Sequence, residues 1–419
     1  LHLSIKNYPM RLYSVIRMGL LAGFMAIFSG TLFAQSNNYI GQDLNTITTA
    51  VPFLQIAPDA RSGGMGEAGV SSSPDANSMH WNPAKYSYIE SDMGFALSYS
   101  PWLRALVSDI NLAYLTGYKK LANNQVVSGS LLYFSLGDIT FTDIQGATIG
   151  NYRPNEFALS GSYSRMLTKN LSGAVTARFI HSNLTQGQSV GGASTKPGNS
   201  IAADIAIYSR HDVEFPNMEG FFAWGLNISN IGSKISYSDD NTQRDFIPTN
   251  LRFGPSLTLD IDDFNRLSFM VDINKLLIPT PPIYLTDSIT GQPVYDDNGN
   301  QLIFKGMDPN VSVPVGMFQS FFDAPNGFNE EIRELSFAVG IEYWYDKQFA
   351  IRGGYFHEDR TKGNRKFFTL GAGLRYNVFG LDFAYLIPTG GQAKNPLENT
   401  LRFTLHFDFD AFQKQNRAE

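Results

Sequence analysis

From residue 92 onward, apolar and polar positions alternate with a period of two, in segments of about ten residues. Leu401, Phe403, Leu405, Phe407 and Phe409 alternate with Arg402, Thr404, His406 and Asp408. Such a strand has one apolar and one wet face, and at a tilt it is long enough to cross a bilayer. The same pattern sets Phe157, Leu159, Gly161 and Tyr163 on one lipid-facing row, and Leu171, Gly173, Val175, Ala177 and Phe179 on the next. Leu251, Phe253, Pro255, Leu257, Leu259 and Ile261 alternate with Arg252, Gly254, Ser256, Thr258 and Asp260; Leu267, Phe269, Val271 and Ile273 alternate with Arg266, Ser268, Met270 and Asp272. Charges therefore fall on the lumen side. Further strands centre on Phe95–Tyr99, Ile110–Tyr114, Leu131–Leu136, Ile201–Ile207, Phe221–Ile228, Leu335–Tyr345, Phe349–Tyr355, Phe367–Tyr376 and Leu381–Ile387, which makes fourteen in all.

Connector lengths point the same way. Breaks near 168–170, 262–265, 346–348 and 377–380 are tight, whereas those at 138–152, 181–199, 232–249, 275–332 and 388–399 are long. Short turns on one side and long loops on the other characterise outer-membrane barrels, and an even strand count returns both ends to one side. Pro101 to Arg104 reads as an unusually short outer turn. Residues 36–90 lack sustained alternation and are rich in Gly, Ser, Pro and Asn. Irregular backbone of this kind cannot face lipid, but it can fill a lumen where partners satisfy it. The expected fold is all-β: a 14-stranded transmembrane antiparallel β-barrel with an N-terminal plug in the lumen.

The expected division is a signal peptide over 1–34, an N-terminal segment and lumenal plug over 35–90, the barrel over 91–410 with a large extracellular loop at 275–332, and a periplasmic tail over 411–419. Arg11 and Arg17 precede the apolar run Met18–Phe28, and Thr31-Leu32-Phe33-Ala34 before Gln35 fits a cleavage site, so this segment is excluded from the fold. An initiating Met10 would leave a signal of ordinary length. No other stretch approaches a spanning helix. With no cysteine, disulfides and thiolate metal sites are excluded. Net charge is −6 with pI near 5.6 and no basic block, which argues against a nucleic-acid partner. Aromatics at 13% suit girdles at the two membrane interfaces.

Candidate chemistry is sparse. Gly64, Gly66 and Gly69 match a G-x-G-x-x-G string, but no apolar strand precedes it and Ser71-Ser72-Ser73-Pro74 follows where a helix should run. Ser71–Ser73, Asp75 and His80 supply the residue types of a hydrolase triad without a visible oxyanion donor pair. Asp296-Asp297-Asn298-Gly299-Asn300 resembles the start of a calcium loop, yet Met307 stands where the closing Glu belongs, and Asn298-Gly299 reads better as a hairpin turn. No catalytic residue, cofactor or metal site is assigned. The loop 275–332 carries Met317, Phe318, Phe321, Phe322, Asp323 and Pro325. These side chains either cover the barrel mouth or form a docking surface for another protein.

The stretch Ala60 to Val70, with Asp75 to Ala84 closing on Asn82-Pro83-Ala84, resembles the N-terminal signature of the FadL-like outer-membrane family. That resemblance implies a fourteen-stranded barrel with an N-terminal plug, in which Arg61, Gly64, Gly66, Gly69, Asp75, Asn82 and Pro83 are plug residues. Within the family the chain most resembles the PorV, or LptO, group of the type IX protein secretion system, through Ala60–Ala84 and Gly316–Phe328. The implied role is a non-enzymatic adaptor in the outer membrane of a Gram-negative bacterium. The implied partners are the giant translocon barrel, the C-terminal signal domain of exported cargo, a PorU-like sortase component and outer-membrane lipid. The tail Gln413–Glu419 departs from the usual aromatic end, so Phe409 or Phe412 is expected to serve as the assembly signal. The rival is a FadL-type channel for fatty acids or other hydrophobic molecules; a lipid hydrolase is a third class without a convincing site.

Overall fold

The structure is a computed structural model, and it describes residues 44–409 apart from 105–106, 108, 143–144, 188–193, 217, 239–243, 288, 298 and 390–395. The expected signal peptide and the tail 411–419 with Phe412 lie outside the described residues. Fourteen strands form a closed antiparallel barrel, each paired with its neighbours in chain order. They are Met93–Pro101, Asn111–Lys120, Gln125–Ser135, Asn155–Thr168, Leu171–Asn183, Gly198–Phe215, Met218–Gly232, Asn250–Asp260, Asn265–Leu276, Ser336–Tyr345, Phe349–His357, Lys366–Tyr376, Phe379–Pro388 and Leu401–Asp408. The last strand returns to the first in the register Phe95↔Phe407, Leu97↔Leu405 and Tyr99↔Phe403. Closure leaves no unpaired edge, which is what a sheet in hydrocarbon requires.

Alternation sets the faces as the sequence predicts. Arg402 and Thr404 are buried in the lumen, while Phe403 and Leu405 are exposed on the outer surface. Phe95 and Phe407 stack on that surface at 4.3 Å between ring centres, with Phe379 edge-on to Phe407. Asp272 is buried in the lumen, and Arg266 pairs with Asp260 across the ladder. Met270 shares the lumen row but is dry, packed in one cluster with Met65 and Ala68 of the plug.

One connector differs from expectation: the link after Pro101 is a loop to Asn111 rather than a four-residue turn. Two small hairpins lie outside the barrel, Ile139–Thr142 with Thr148–Tyr152 and Ile283–Tyr284 with Ile303–Lys305. No described helix is long and apolar enough to cross a membrane.

Phe269 is 43% exposed on the outer face, so the face assignment predicts that Phe269→Arg costs ~2–4 kcal/mol of folding stability in bilayers while Phe269→Leu costs little. Equal stabilities in a reversible bilayer-folding titration would contradict the assigned faces.

Candidate functional site

The plug is built from short turns whose polar groups are spent on the barrel wall. Asp59 caps the turn Ala60–Gly63 by accepting the Ser62 N–H at 2.9 Å, and it also accepts the Trp81 indole N–H. The backbone N–H groups that follow find wall side chains: Ala60 donates to Thr404, Gly66 to Thr369, and both Gly69 and Val70 to one oxygen of Asp272. Gly66 has φ +68°, and a Cβ there would stand 2.6 Å from the Tyr355 nitrogen, so only glycine lets the plug lie this close to the wall. At Gly69 a Cβ would enter the Trp81 ring. The G-x-G-x-x-G string thus serves close packing and holds no nucleotide-binding turn.

Asn82-Pro83-Ala84 has a similar mechanical role. The Asn82 side-chain oxygen accepts the Ala84 N–H, its side-chain amide N–H groups donate to the carbonyls of Val70 and Ile207, and Pro83 opens the turn Pro83–Tyr88. An ion chain completes the attachment. Arg61 grips Glu342 with two hydrogen bonds of 2.9 and 2.7 Å and reaches Asp75 at 2.9 Å. Glu342 in turn accepts from Arg352, which pairs with Asp382, and Asp382 also holds Arg375 and His406. Buried charges of this kind persist only when each is paired, and removing one partner strands the rest at a cost of about 3–5 kcal/mol.

The triad residue types do not assemble. Asp75 is bound by Arg61 and Ser78, while His80 lies edge-on to Trp81 and Tyr114. The Asp296 segment is a tight turn in which Gly299, at φ +82°, donates to the Asp296 carbonyl. No metal-holding group occurs among the described residues.

The loop after Leu276 folds onto the long-loop end of the barrel and is tied down by buried ions. Lys275 bonds Glu331 and Glu334 at 3.1 and 2.6 Å, and Lys362 bonds Glu330 and Glu334 at 2.6 and 3.0 Å. Asn45 donates to Glu330 and to the Pro281 carbonyl, so the N-terminal segment reaches this layer too. Sequence reading misses this cluster, because only the repeated Glu330, Glu331 and Glu334 signal it and their lysines lie far along the chain. The anchored loop carries the helix Val313–Gln319 with Gly316 packed under it, while Phe318 is 74% and Phe322 66% exposed. Phe321 is also exposed; Met317 and Pro325 are half-buried.

Asp323 differs from the surface role expected of it. It is buried, with one carboxylate oxygen accepting the Thr280 N–H at 3.1 Å. Burial and the neighbouring Glu334 and Glu331 push its pKa up to about 6, against the lowering effect of the Thr280 N–H. Because the folded value lies above the unfolded one, its charge opposes docking at neutral pH, and docking strengthens as pH falls through 6 toward the unfolded value near ~4. Hydrogen exchange over 313–325, corrected for intrinsic rates, should be slower at pH 5.5 than at 7.5, and Asp323→Asn should abolish the difference. An unchanged pH dependence in that variant would refute the assignment.

The plug prediction concerns conductance. Because the plug occupies the lumen, the intact protein should be silent in planar bilayers and a deletion of 60–84 should conduct. Large steady currents from the intact chain would overturn it.

Comparison with solved structures finds barrels of low sequence identity. They include the Ralstonia pickettii toluene transporter TbuX, with 11% identity over 83% of this chain and 97% of that one at a TM-score of 0.40. The P. putida toluene transporter TodX gives 11% identity, 88% and 99% coverage and a TM-score of 0.45. A Pseudomonas aeruginosa FadL homologue gives 12% identity, 87% and 99% coverage and a TM-score of 0.41. No curated protein sequence matches. The family described as type IX secretion system protein PorV matches residues 39–283, more than half of the chain, spanning the plug and the strands through Asn265–Leu276. The chain belongs to the PorV family of type IX secretion system proteins and is a barrel of the Gram-negative outer membrane.

Proposed function

We propose that this barrel is an adaptor of type IX secretion that docks the translocon barrel through the aromatic side chains of its long outer loop. On this reading it receives the C-terminal signal domain of exported cargo and delivers it to a PorU-like sortase component at the surface, without catalysis of its own. The observation that carries the reading is the mounting of the loop. Phe318, Phe321 and Phe322 stand exposed, joined by Phe328 at 77%, on turns held by the buried Lys275, Lys362 and glutamate cluster. A soluble loop that only covered its own barrel would turn these rings inward. Rings presented on a fixed base lose little freedom on binding, which favours them as anchors.

Buried aromatic anchors carry ~2 kcal/mol or more each. Replacing Phe318, Phe321 and Phe322 together by Ser should therefore abolish co-purification of the translocon and secretion of signal-bearing cargo, with surface levels of the barrel unchanged. Normal association and secretion by the triple variant would return weight to a channel for hydrophobic molecules.

A further inference from the structure

Above the plug, toward the long-loop end, the lumen opens into a cavity whose empty space, open solvent included, is about 1100 Å³. Its wall mixes polar and apolar side chains. On one side Arg252, Asn274 and Ser336 lie in a single cross-strand row, Arg252↔Asn274 and Asn274↔Ser336, with Asn250 two positions beyond Arg252 on the same face. Ile47, Leu54, Leu132 and Ala158 supply apolar lining elsewhere in the cavity, and Met79 and His80 of the plug also face it.

The charges that line this cavity are nearly all spent. Glu67 pairs with Arg402 at 2.7 Å, Glu334 with both lysines, Glu358 with Arg365 at 2.9 Å and Arg178 with Asp204 at 2.8 Å. Arg252 is the exception among the described residues. Its Nε donates to the Asn274 side-chain oxygen at 2.7 Å and its guanidinium lies over the Trp81 ring at 4.6 Å, but its terminal nitrogens have no carboxylate partner. The ring and the Asn274 bond restrain the guanidinium. A guanidinium held in one plane presents two parallel donors, the geometry that matches a planar carboxylate.

We propose that the cavity binds a small carboxylate, which takes the Arg252 fork while Asn250, Asn274 and Ser336 bond hydroxyl or amide groups flanking it and the apolar lining receives the rest of the ligand. The shared chemistry is a carboxylate beside hydrogen-bonding groups, and it has two sources: an acidic sugar, or an acylated amino acid such as the end of a polypeptide. The site is separate from the aromatic loop and stands whether or not that loop docks a translocon. The competing account is that Arg252 serves only to offset Asp272 below it, whose second oxygen has no hydrogen-bond partner.

The test is calorimetric titration of the full-length barrel in nanodiscs with methyl glucuronide, N-acetyl-leucine and octanoate, each against its uncharged amide. Binding of one of the first two acids roughly tenfold or more tightly than its amide is expected, and which of them binds identifies the source. Arg252→Gln should remove the preference and Arg252→Lys should retain part of it, with barrel folding checked by heat-dependent electrophoretic mobility. Asn250→Ala and Ser336→Ala, which leave the Arg252–Trp81 contact in place, should each weaken the acid about fivefold, so the proposal stays testable if Arg252→Gln does not fold. Equal affinity for acids and amides, preference for octanoate alone, or wild-type binding by these variants would overturn it.

Discussion

Everything in this molecule depends on the attachment of the plug to the inner wall, because a fourteen-stranded cylinder is too wide for its own side chains to fill. The attachment is polar. Backbone N–H groups of Ala60, Gly66, Gly69 and Val70 are handed to Thr404, Thr369 and Asp272, and Arg61 is locked onto Glu342. For buried groups an unmatched donor costs far more than a matched one gains, so these bonds specify where the plug sits. The glycines at 66 and 69 are the sequence counterpart of that fit, since any Cβ there would meet backbone or ring.

A polar plug of this kind shapes what the barrel can do. It occupies the lumen below and leaves a cavity above, lined by Arg252, whose terminal nitrogens have no carboxylate partner. The same end bears the aromatic side chains of the loop, held by an ion cluster that draws together the segment before the plug, the loop at 277–334 and Lys362. On the proposed reading, function is concentrated on one rim, and the strands below serve as its mount.

The strands were legible in the sequence because lipid enforces period two over every one of them: the outward row of Leu401, Phe403 and Leu405 could belong to no soluble helix. The plug was legible as a location, since residues 36–90 lacked that period. Its contacts were not legible, because Arg61 and Glu342 lie 281 positions apart and nothing local in either names the other. Alternation also gives direction without dryness. It placed Met270 toward the lumen but could not say that Met65 and Ala68 wait there. Asp323 misled for a related reason: a carboxylate in a loop reads as solvated, and only the fold shows it turned onto the Thr280 N–H.

The central claim is that the aromatic loop of a plugged barrel is a protein-docking surface. Its most direct test is site-specific photo-crosslinking in native outer membranes, with a photoreactive residue placed at Phe318 and, as a lipid-facing control, at Leu159. The account predicts that the probe at 318 captures a much larger barrel protein while the probe at 159 captures lipid. Capture of lipid or of the barrel's own loops from position 318, with no protein partner, would contradict it.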